Sequence, residues 1–286
     1  MDYLAALVQT RPVLGDVGEN LERHEEWARK AMREGADLVL FPELSLTGYH
    51  LRDLVPEVAL RATDRRLSGL ARLSRRASIA VGAVEASADH RFFNSAFFFE
   101  GGSLLAVHRK VYLPDYGMFE EGRHFAPGDR FEPIRSRLGT LGLLVCEDLW
   151  HVSTSYLHFL RGADAMICMA ASPGRGISGT EGEVATARVW NALLEAQALA
   201  FTVHSLFCNR AGFEDGAYFW GGSKVLSPFG RVLAKAGDGE ELVLARIEEG
   251  ALRRSRTLTP LRRDEKTLLT LREIDRAIRA ERDAAP

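Results

Sequence analysis

The sequence predicts an α/β protein in which helices cover β-sheets. Short apolar segments typical of strands alternate along the chain with longer segments in which apolar residues recur at helical spacing. No linker or low-complexity stretch divides the 286 residues, and a content of 46% hydrophobic residues is enough to build one large core. We therefore expect a single domain over residues 1–286, with a C-terminal arm at about residues 252–286.

The first half of the chain supplies the first set of alternating elements. Helices are expected at residues 16–34 and 56–77 because of their apolar spacing. Strands are expected at residues 3–8, 37–41, 79–84, 97–99 and 104–107. The last two strands form a hairpin, because Gly101 and Gly102 lie between them and tolerate the positive φ of a tight turn.

The second half of the chain repeats this alternation. Strands are expected at residues 141–146, 165–170, 201–208, 222–226 and 242–247. Helices are expected at residues 153–161, 181–200 and 264–280. The last helix is amphipathic, which is typical of an arm that docks on another surface.

Composition and charge argue against several classes of protein. A formal net charge of −2 does not favour a nucleic-acid partner, since phosphate binding needs clustered positive charge. No apolar stretch approaches the roughly 18 residues that cross a bilayer, and no signal peptide is apparent, so we expect a soluble cytoplasmic protein without a membrane partner. The three cysteines lack the spacing of a disulfide framework or a zinc site, and no metal is expected.

One glycine-rich segment matches the short motif of dinucleotide-binding sites. The letters GRGISG at residues 174–179 match G-x-G-x-x-G, but a dinucleotide site also needs an acidic residue at the end of the next strand. That strand ends in Cys208 and Asn209. We therefore interpret the segment as a loop and expect no cofactor.

Three residues with reactive side chains follow predicted strands. Glu43 follows the strand at residues 37–41, Lys110 follows the strand at residues 104–107, and Cys146 ends the strand at residues 141–146. Taken singly, an exposed carboxylate, an exposed lysine and a buried structural thiol are all ordinary alternatives. Together they supply a base, a fixed cation and a nucleophile.

To act as a nucleophile, the Cys146 thiol requires a base and a cation from elsewhere in the fold. A cysteine of ordinary pKa is only about a few per cent thiolate at neutral pH, and the adjacent Glu147 and Asp148 are expected to raise its pKa further. Glu43 can accept the thiol proton, and Lys110 can stabilise the oxyanion that forms when sulfur attacks a carbonyl.

The segments FPE, HRKVYLP and VCEDLW, in this order, resemble the nitrilase superfamily of carbon-nitrogen hydrolases. The resemblance covers essentially the whole chain, including residues 209–230. It implies a Glu43–Lys110–Cys146 triad on an α-β-β-α sandwich, two of which form a four-layer α-β-β-α-α-β-β-α dimer. It also implies a second site glutamate, Glu121, with Glu120 as the alternative.

Within the superfamily, the chain looks most like the glutamine-hydrolysing domain of NAD synthetases. This resemblance implies that Tyr49, Glu147 and Ser172 contact glutamine. The sequence departs from that branch in having no S-G-G-x-D-S pyrophosphate loop, so we do not expect it to make NAD alone. The segment after Ser172 also lacks the aromatic residue and the lysine of that branch.

The expected function is hydrolysis of a small linear amide through a cysteine thioester, with release of ammonia. Glutamine is the first candidate substrate. One alternative is hydrolysis of an N-carbamoyl amine or amino acid, because NRAGFE is similar to carbamoylases. Another is an ammonia-donor subunit that depends on a separate synthetase. Nitrile hydrolysis is less favoured, because CEDLW departs from the CWE of that branch. A homodimer or larger homo-oligomer is expected.

Overall fold

The computed structural model describes residues 2–174 and 184–284, and in these ranges two six-stranded sheets pack face to face. The strands are β1 (Tyr3–Gln9), β2 (Leu38–Leu40), β3 (Ser78–Ala86), β4 (Phe92–Glu100), β5 (Ser103–Arg109), β6 (Ile134–Ser136), β7 (Gly139–Val145), β8 (Ala165–Ala170), β9 (His204–Asn209), β10 (Ala211–Glu214), β11 (Ala217–Trp220), β12 (Lys224–Leu226), β13 (Val232–Lys235) and β14 (Glu241–Ile247). The helices are α1 (Val17–Arg33), α2 (Val55–Val58), α3 (Ser68–Leu73), α4 (Glu121–His124), α5 (Val152–Leu160), α6 (Ala185–Phe201), α7 (Glu249–Leu258), α8 (Leu261–Asp264) and α9 (Thr267–Ala284).

The two sheets are built in the same way. The first has the order β14-β1-β2-β3-β4-β5 and the second has the order β13-β12-β9-β8-β7-β6. Strands β1, β2 and β3 run parallel in the first sheet, and β7, β8 and β9 run parallel in the second. The carboxyl ends of β2, β7 and β8 therefore present the residues that follow them at one end of the sandwich.

The sheets are buried on both faces, which confirms the predicted α-β-β-α sandwich. Ala5 and Leu7 of β1 lie in the core between the sheets, whereas the alternate residues Ala6 and Val8 pack in the core under α1. Met166 of β8 packs beneath α5 on the far side of the second sheet. Because a strand exposes alternate residues to opposite faces, this pattern requires a helix layer outside each sheet.

Most of the predicted elements are confirmed, with two differences. The helix expected at residues 56–77 is wrong, because the Leu60 N–H donates to the Val84 carbonyl at 2.9 Å and the chain runs along β3 between α2 and α3. The strand expected at residues 201–208 begins only at His204, because α6 continues to Phe201 and ends at Thr202 with a left-handed φ of 48°. The sequence also missed β6, β13, the β10–β11 hairpin and α7.

Two expectations fall on residues 175–183. The start of the helix expected at residues 181–200 and all of the GRGISG segment except Gly174 lie outside the described residues.

The C-terminal elements differ in how they pack. Helix α7 buries Ala251 and Leu252 against the sandwich, whereas the leucines and isoleucines of α9 are 45–76% exposed. A hydrogen bond of 2.8 Å from the Tyr156 hydroxyl to Glu265 fixes the chain just before α9. The freely exposed part of the predicted arm is therefore α9. Across residues 2–174 and 184–284, we find no helix with the length and apolar character needed to span a membrane.

Candidate active site

Glu43 lies where β2 ends, and it is held almost completely inside the protein. Its side chain is 1% exposed; Asn94 Nδ2 donates to Oε1 at 2.8 Å and the Ala171 N–H donates to Oε2 at 2.7 Å. The turn that carries it lies directly on Gly82 of β3, where a Cβ would come within 2.8 Å of the Glu43 carbonyl carbon. Any larger residue at position 82 would displace the carboxylate.

Lys110 follows β5 and bridges two carboxylates. Its Nζ donates to Glu43 Oε1 at 2.8 Å and to Glu121 Oε1 at 2.7 Å, and the side chain has no exposed surface. Burial alone lowers the pKa of this lysine, but the charges of Glu121 and Glu43 outweigh burial and raise it well above the usual value. Lys110 is therefore a fixed ammonium, and neither it nor Glu43 is an ordinary surface residue.

Cys146 occupies a sharp turn at the end of β7. Its φ of 46° lies in the left-handed region, and the chain continues as a single 3₁₀ segment, Cys146–Trp150. A non-glycine residue in this region costs on the order of 1 kcal/mol or more, and such strain is commonly found at functional sites. The turn takes the thiol out of the strand direction and leaves it 8% exposed.

The pKa of the Cys146 thiol is raised well above its usual value, first by burial and then by the charge of Glu43, while Lys110 opposes the shift. The expected direction is therefore confirmed, but the expected cause differs. The carboxylate of Glu147 accepts the Tyr116 hydroxyl at 3.0 Å, and that of Asp148 is hydrogen-bonded within the protein. A thiol with a raised pKa is neutral at rest, so it needs a base at the moment of attack.

Glu121, rather than Glu120, is the second glutamate of this cluster. Its Oε1 accepts both Lys110 Nζ and the Tyr49 hydroxyl, the latter at 2.5 Å, whereas the Glu120 side chain is 69% exposed. Burial raises the pKa of Glu121 to about 7, although Lys110 opposes the shift. The sequence could not separate the two residues because it does not show which one faces inward at the start of α4.

The three residues expected to contact substrate all have partners within the protein. Tyr49 donates to Glu121, and Glu147 accepts from Tyr116. The Ser172 hydroxyl oxygen accepts the indole N–H groups of Trp190 at 2.8 Å and Trp220 at 3.2 Å. Ser172 therefore retains only its O–H hydrogen for any further hydrogen bond, and the role of all three in substrate binding stays a prediction.

Sequence reasoning missed a buried ion pair that positions Tyr49. Glu214 accepts the backbone N–H groups of Tyr49 at 2.9 Å and His50 at 2.8 Å, and it accepts Arg210 Nη1 at 2.9 Å. Although burial opposes the shift, the hydrogen bonds from His50 and the charge of Arg210 lower the pKa of Glu214 to about 2. The signal was an arginine directly after an apolar strand, at the start of the segment NRAGFE.

The described residues of the site do not form a metal-binding cluster. No group of His, Cys, Asp and Glu side chains within residues 2–174 and 184–284 has the arrangement of a metal site. The chemistry available is that of a thiol, an ammonium and two carboxylates.

Fold and site together define a hydrolase of the nitrilase type. The family model described as carbon-nitrogen hydrolase matches residues 4–257, and the chain belongs to this family.

The individual relatives include NAD(+) synthetases and omega-amidases. A glutamine-dependent NAD(+) synthetase of Thermotoga maritima is 31% identical over 230 residues, which is 79% of this chain but 38% of that protein. An omega-amidase of Xenopus tropicalis is 28% identical over 254 residues, covering 86% of this chain and 88% of the relative. The chain spans only 38–44% of the length of the first synthetases that it matches.

Solved structures of amidases have the same fold as this chain. An amidase from Nesterenkonia superposes with a TM-score of 0.78 at 26% identity, over 94% of this chain and 96% of the other. That structure, of a mutant, shows the acetamide moiety of fluoroacetamide covalently added at the active-site cysteine. The proteins that match over most of both chains therefore include an omega-amidase and an amidase.

Proposed function

We propose that this protein hydrolyses the C–N bond of a small linear amide through a thioester on Cys146 and releases ammonia. The observation that supports this most directly is the position of Lys110. It is fully buried between Glu43 and Glu121, and its charge opposes the rise in the pKa of the Cys146 thiol. A cation held in this way in a buried site is what an oxyanion next to the sulfur requires.

In the first half of the proposed reaction, Glu43 removes the thiol proton while the sulfur attacks the amide carbon. The C=O electrons move to oxygen, and the Lys110 ammonium stabilises the resulting oxyanion. Glu43 then returns the proton to the nitrogen. The oxyanion electrons re-form the C=O bond as the C–N bond breaks, so ammonia leaves and the acyl group stays on Cys146 as a thioester. The hydrogen bonds from Asn94 and the Ala171 N–H keep Glu43 in one orientation during both transfers.

In the second half, a water molecule replaces ammonia. Glu43 accepts a proton from this water as its oxygen attacks the thioester carbon, and the proton passes to the departing sulfur. The products are a carboxylic acid and the free thiol. Glu121 does not exchange a proton in this scheme; it orients Lys110 and Tyr49.

Glutamine is the first substrate to test, because the chain resembles the part of the NAD synthetases that it spans. The omega-amidase relative, of which 88% is covered by the match, supports a wider search among amides. The carbamoyl alternative has less support than the sequence suggested. In NRAGFE, Arg210 and Glu214 form the buried ion pair that holds the Tyr49 loop, so this motif has a structural role.

A screen for ammonia release tests the proposal. We expect turnover with one or more primary amides, no carbon dioxide among the products, and no requirement for a synthetase. Carbon dioxide released together with ammonia would identify a carbamoylase instead. Activity that appears only after a synthetase is added would identify an ammonia-donor subunit.

We further propose that the protein forms a homodimer, with the apolar side of α9 packed against the second copy. This side carries Leu268, Leu271, Ile274 and Ile278, all at least 45% exposed in the single chain. Most of the stability of a helix in a protein comes from the packing of its apolar face, so a partner surface is expected for this exposed side of α9.

The mass in solution tests this assembly. The double substitution of Ile274 and Ile278 by glutamate should shift sedimentation from dimer towards monomer. The matched double substitution of Ala277 and Ala280 adds the same charge to another side of α9 and should leave the dimer intact. A monomeric wild-type protein, or equal behaviour of the two variants, would rule out this use of α9.

A further inference from the structure

Asp148 is completely buried and accepts four hydrogen bonds. Its Oδ1 accepts the backbone N–H groups of Val111 at 3.0 Å and Tyr112 at 3.1 Å. Its Oδ2 accepts the backbone N–H of Val145 at 3.0 Å and lies 2.8 Å from His108 Nε2. A buried carboxylate is costly unless it is fully hydrogen-bonded, and here both oxygens are used.

The four donors come from the two segments that carry the reactive residues. His108, Val111 and Tyr112 lie within two residues of Lys110, where β5 leaves the first sheet. Val145 directly precedes Cys146, where β7 leaves the second sheet. Backbone pairing within a sheet cannot fix the distance between these segments, because β5 and β7 belong to different sheets.

The carboxylate is in its charged form. Burial acts to raise the pKa of Asp148, but the hydrogen bond and charge of His108 and the backbone N–H groups of Val145 and Tyr112 bring it below the usual value. All of its lone pairs are therefore available as acceptors at neutral pH.

We propose that Asp148 is a positioning residue that holds the Lys110 segment against the Cys146 turn and so sets the position of the ammonium relative to the sulfur. This inference rests on the proposed amidase function. It concerns geometry only. Among residues 2–174 and 184–284, the Asp148 carboxylate is hydrogen-bonded to His108, Val111, Tyr112 and Val145 and not to Glu43, Lys110 or Glu121, and the proposed reaction does not use it as an acid or base.

The same contacts account for the strained backbone of Cys146. The left-handed residue lies between Val145, whose N–H is bound by Asp148, and the 3₁₀ segment that contains Asp148 itself. The Asp148 carboxylate is thus hydrogen-bonded to the residue before Cys146 and is itself part of the segment after it, so it holds the two sides of the turn together. Without it, the turn can relax towards ordinary φ values, and the thiol moves away from Lys110.

The substitution Asp148→Asn tests the proposal. The asparagine keeps one oxygen for Val111 and Tyr112, but its amide N–H₂ cannot accept the Val145 N–H. We expect kcat to fall about 100-fold with little change in KM, since a displacement of about 1 Å has effects of this size. Asp164→Asn is the matched control, because Asp164 accepts the Thr140 N–H at 2.9 Å at the opposite end of β7. It should leave kcat unchanged.

A second readout does not depend on turnover. The Cys146 thiol faces Glu43, Lys110, Glu121 and Cys168, and among these only Lys110 favours its thiolate. If Asp148→Asn lets Lys110 move away, alkylation of Cys146 by iodoacetamide at a fixed pH should slow about tenfold, which corresponds to one pKa unit. Peptide mass spectrometry separates this cysteine from Cys168 and Cys208.

The outcomes distinguish the two proposals. If the wild-type protein hydrolyses no amide, with or without a synthetase, the proposed function is wrong. Slower alkylation of Cys146 in Asp148→Asn would still support the positioning role in that case. Unchanged or faster alkylation in a folded Asp148→Asn protein overturns the positioning role.

If that variant does not fold, His108→Gln takes its place, because glutamine can still donate to Oδ2. Its predicted effects on kcat and alkylation are in the same direction but smaller, and no effect on either would overturn the proposal.

Discussion

Replacing Cys146 with alanine should abolish ammonia release from every amide that the wild-type protein hydrolyses, by a factor of at least about 10⁴. The reason is that the remaining groups of the cluster, Lys110 and two glutamates, include no other nucleophile that can form a thioester. Ammonia release measured with a coupled assay checks the loss of activity. Circular dichroism and the urea midpoint check that the fold is retained.

A second thiol serves as the control for this substitution. Cys208 is fully buried in β9, and its sulfur lies 3.4 Å from the Leu40 carbonyl oxygen, inside the core between the sheets. Cys208→Ala should lower stability somewhat and preserve turnover. Substantial turnover by the Cys146→Ala protein would show that the thiol is not the nucleophile.

Replacing Lys110 with methionine should remove activity and also destabilise the protein strongly. The substitution leaves the carboxylates of Glu43 and Glu121 buried close to each other, because both now accept hydrogen bonds from the same ammonium, and it removes that cation. Removal of one partner from a buried ion pair typically costs about 3–5 kcal/mol in the free energy of unfolding. Urea unfolding of the wild-type and variant proteins measures this loss.

The pH dependence of the variant has a definite sign. Burial and the charge of Glu43 raise the pKa of Glu121, and Lys110 opposes them, so removal of Lys110 raises the folded-state pKa of Glu121 further above its unfolded value. The folded state then binds protons more tightly, so the deficit in stability is smallest below the unfolded pKa of about 4.3 and grows as the pH rises. A deficit that grows towards low pH would contradict this explanation.

A compensating substitution separates stability from catalysis. In the double variant Lys110→Met, Glu121→Gln, Glu43 is the one former carboxylate partner of Lys110 that remains, so part of the lost stability should return. Activity should not return, because no cation is left to stabilise the oxyanion. Recovery of activity together with stability would show that Lys110 has only a structural role.

The positions of the three reactive residues could be predicted because each follows a strand that the apolar pattern reveals. Glu43, Lys110 and Cys146 are distant in sequence, yet parallel strands and a hairpin bring strand ends to one end of a sandwich. What the pattern could not show is their environment. Hydrogen bonds such as Asn94 to Glu43 join residues 51 positions apart, and no local rule identifies them.

Tertiary hydrogen bonds are the part of the structure that a local pattern does not show. The periodicity over residues 56–77 fits a helix, but the backbone of Leu60 makes hydrogen bonds to Val84 and Ala86 of β3 instead. The two indole N–H groups that donate to the Ser172 oxygen were not predictable either, and the expected role of Ser172 in substrate binding stays a prediction. Such hydrogen bonds depend on the packing of the whole chain.

Rapid acid quenching during turnover, followed by mass spectrometry of the Cys146 peptide, tests the central claim most directly. The proposed reaction predicts a transient adduct on Cys146 whose mass gain equals that of the amide less ammonia. This adduct should disappear as the substrate is consumed. Ammonia release without any acyl adduct on Cys146, or with an adduct only on Cys168 or Cys208, would contradict the account.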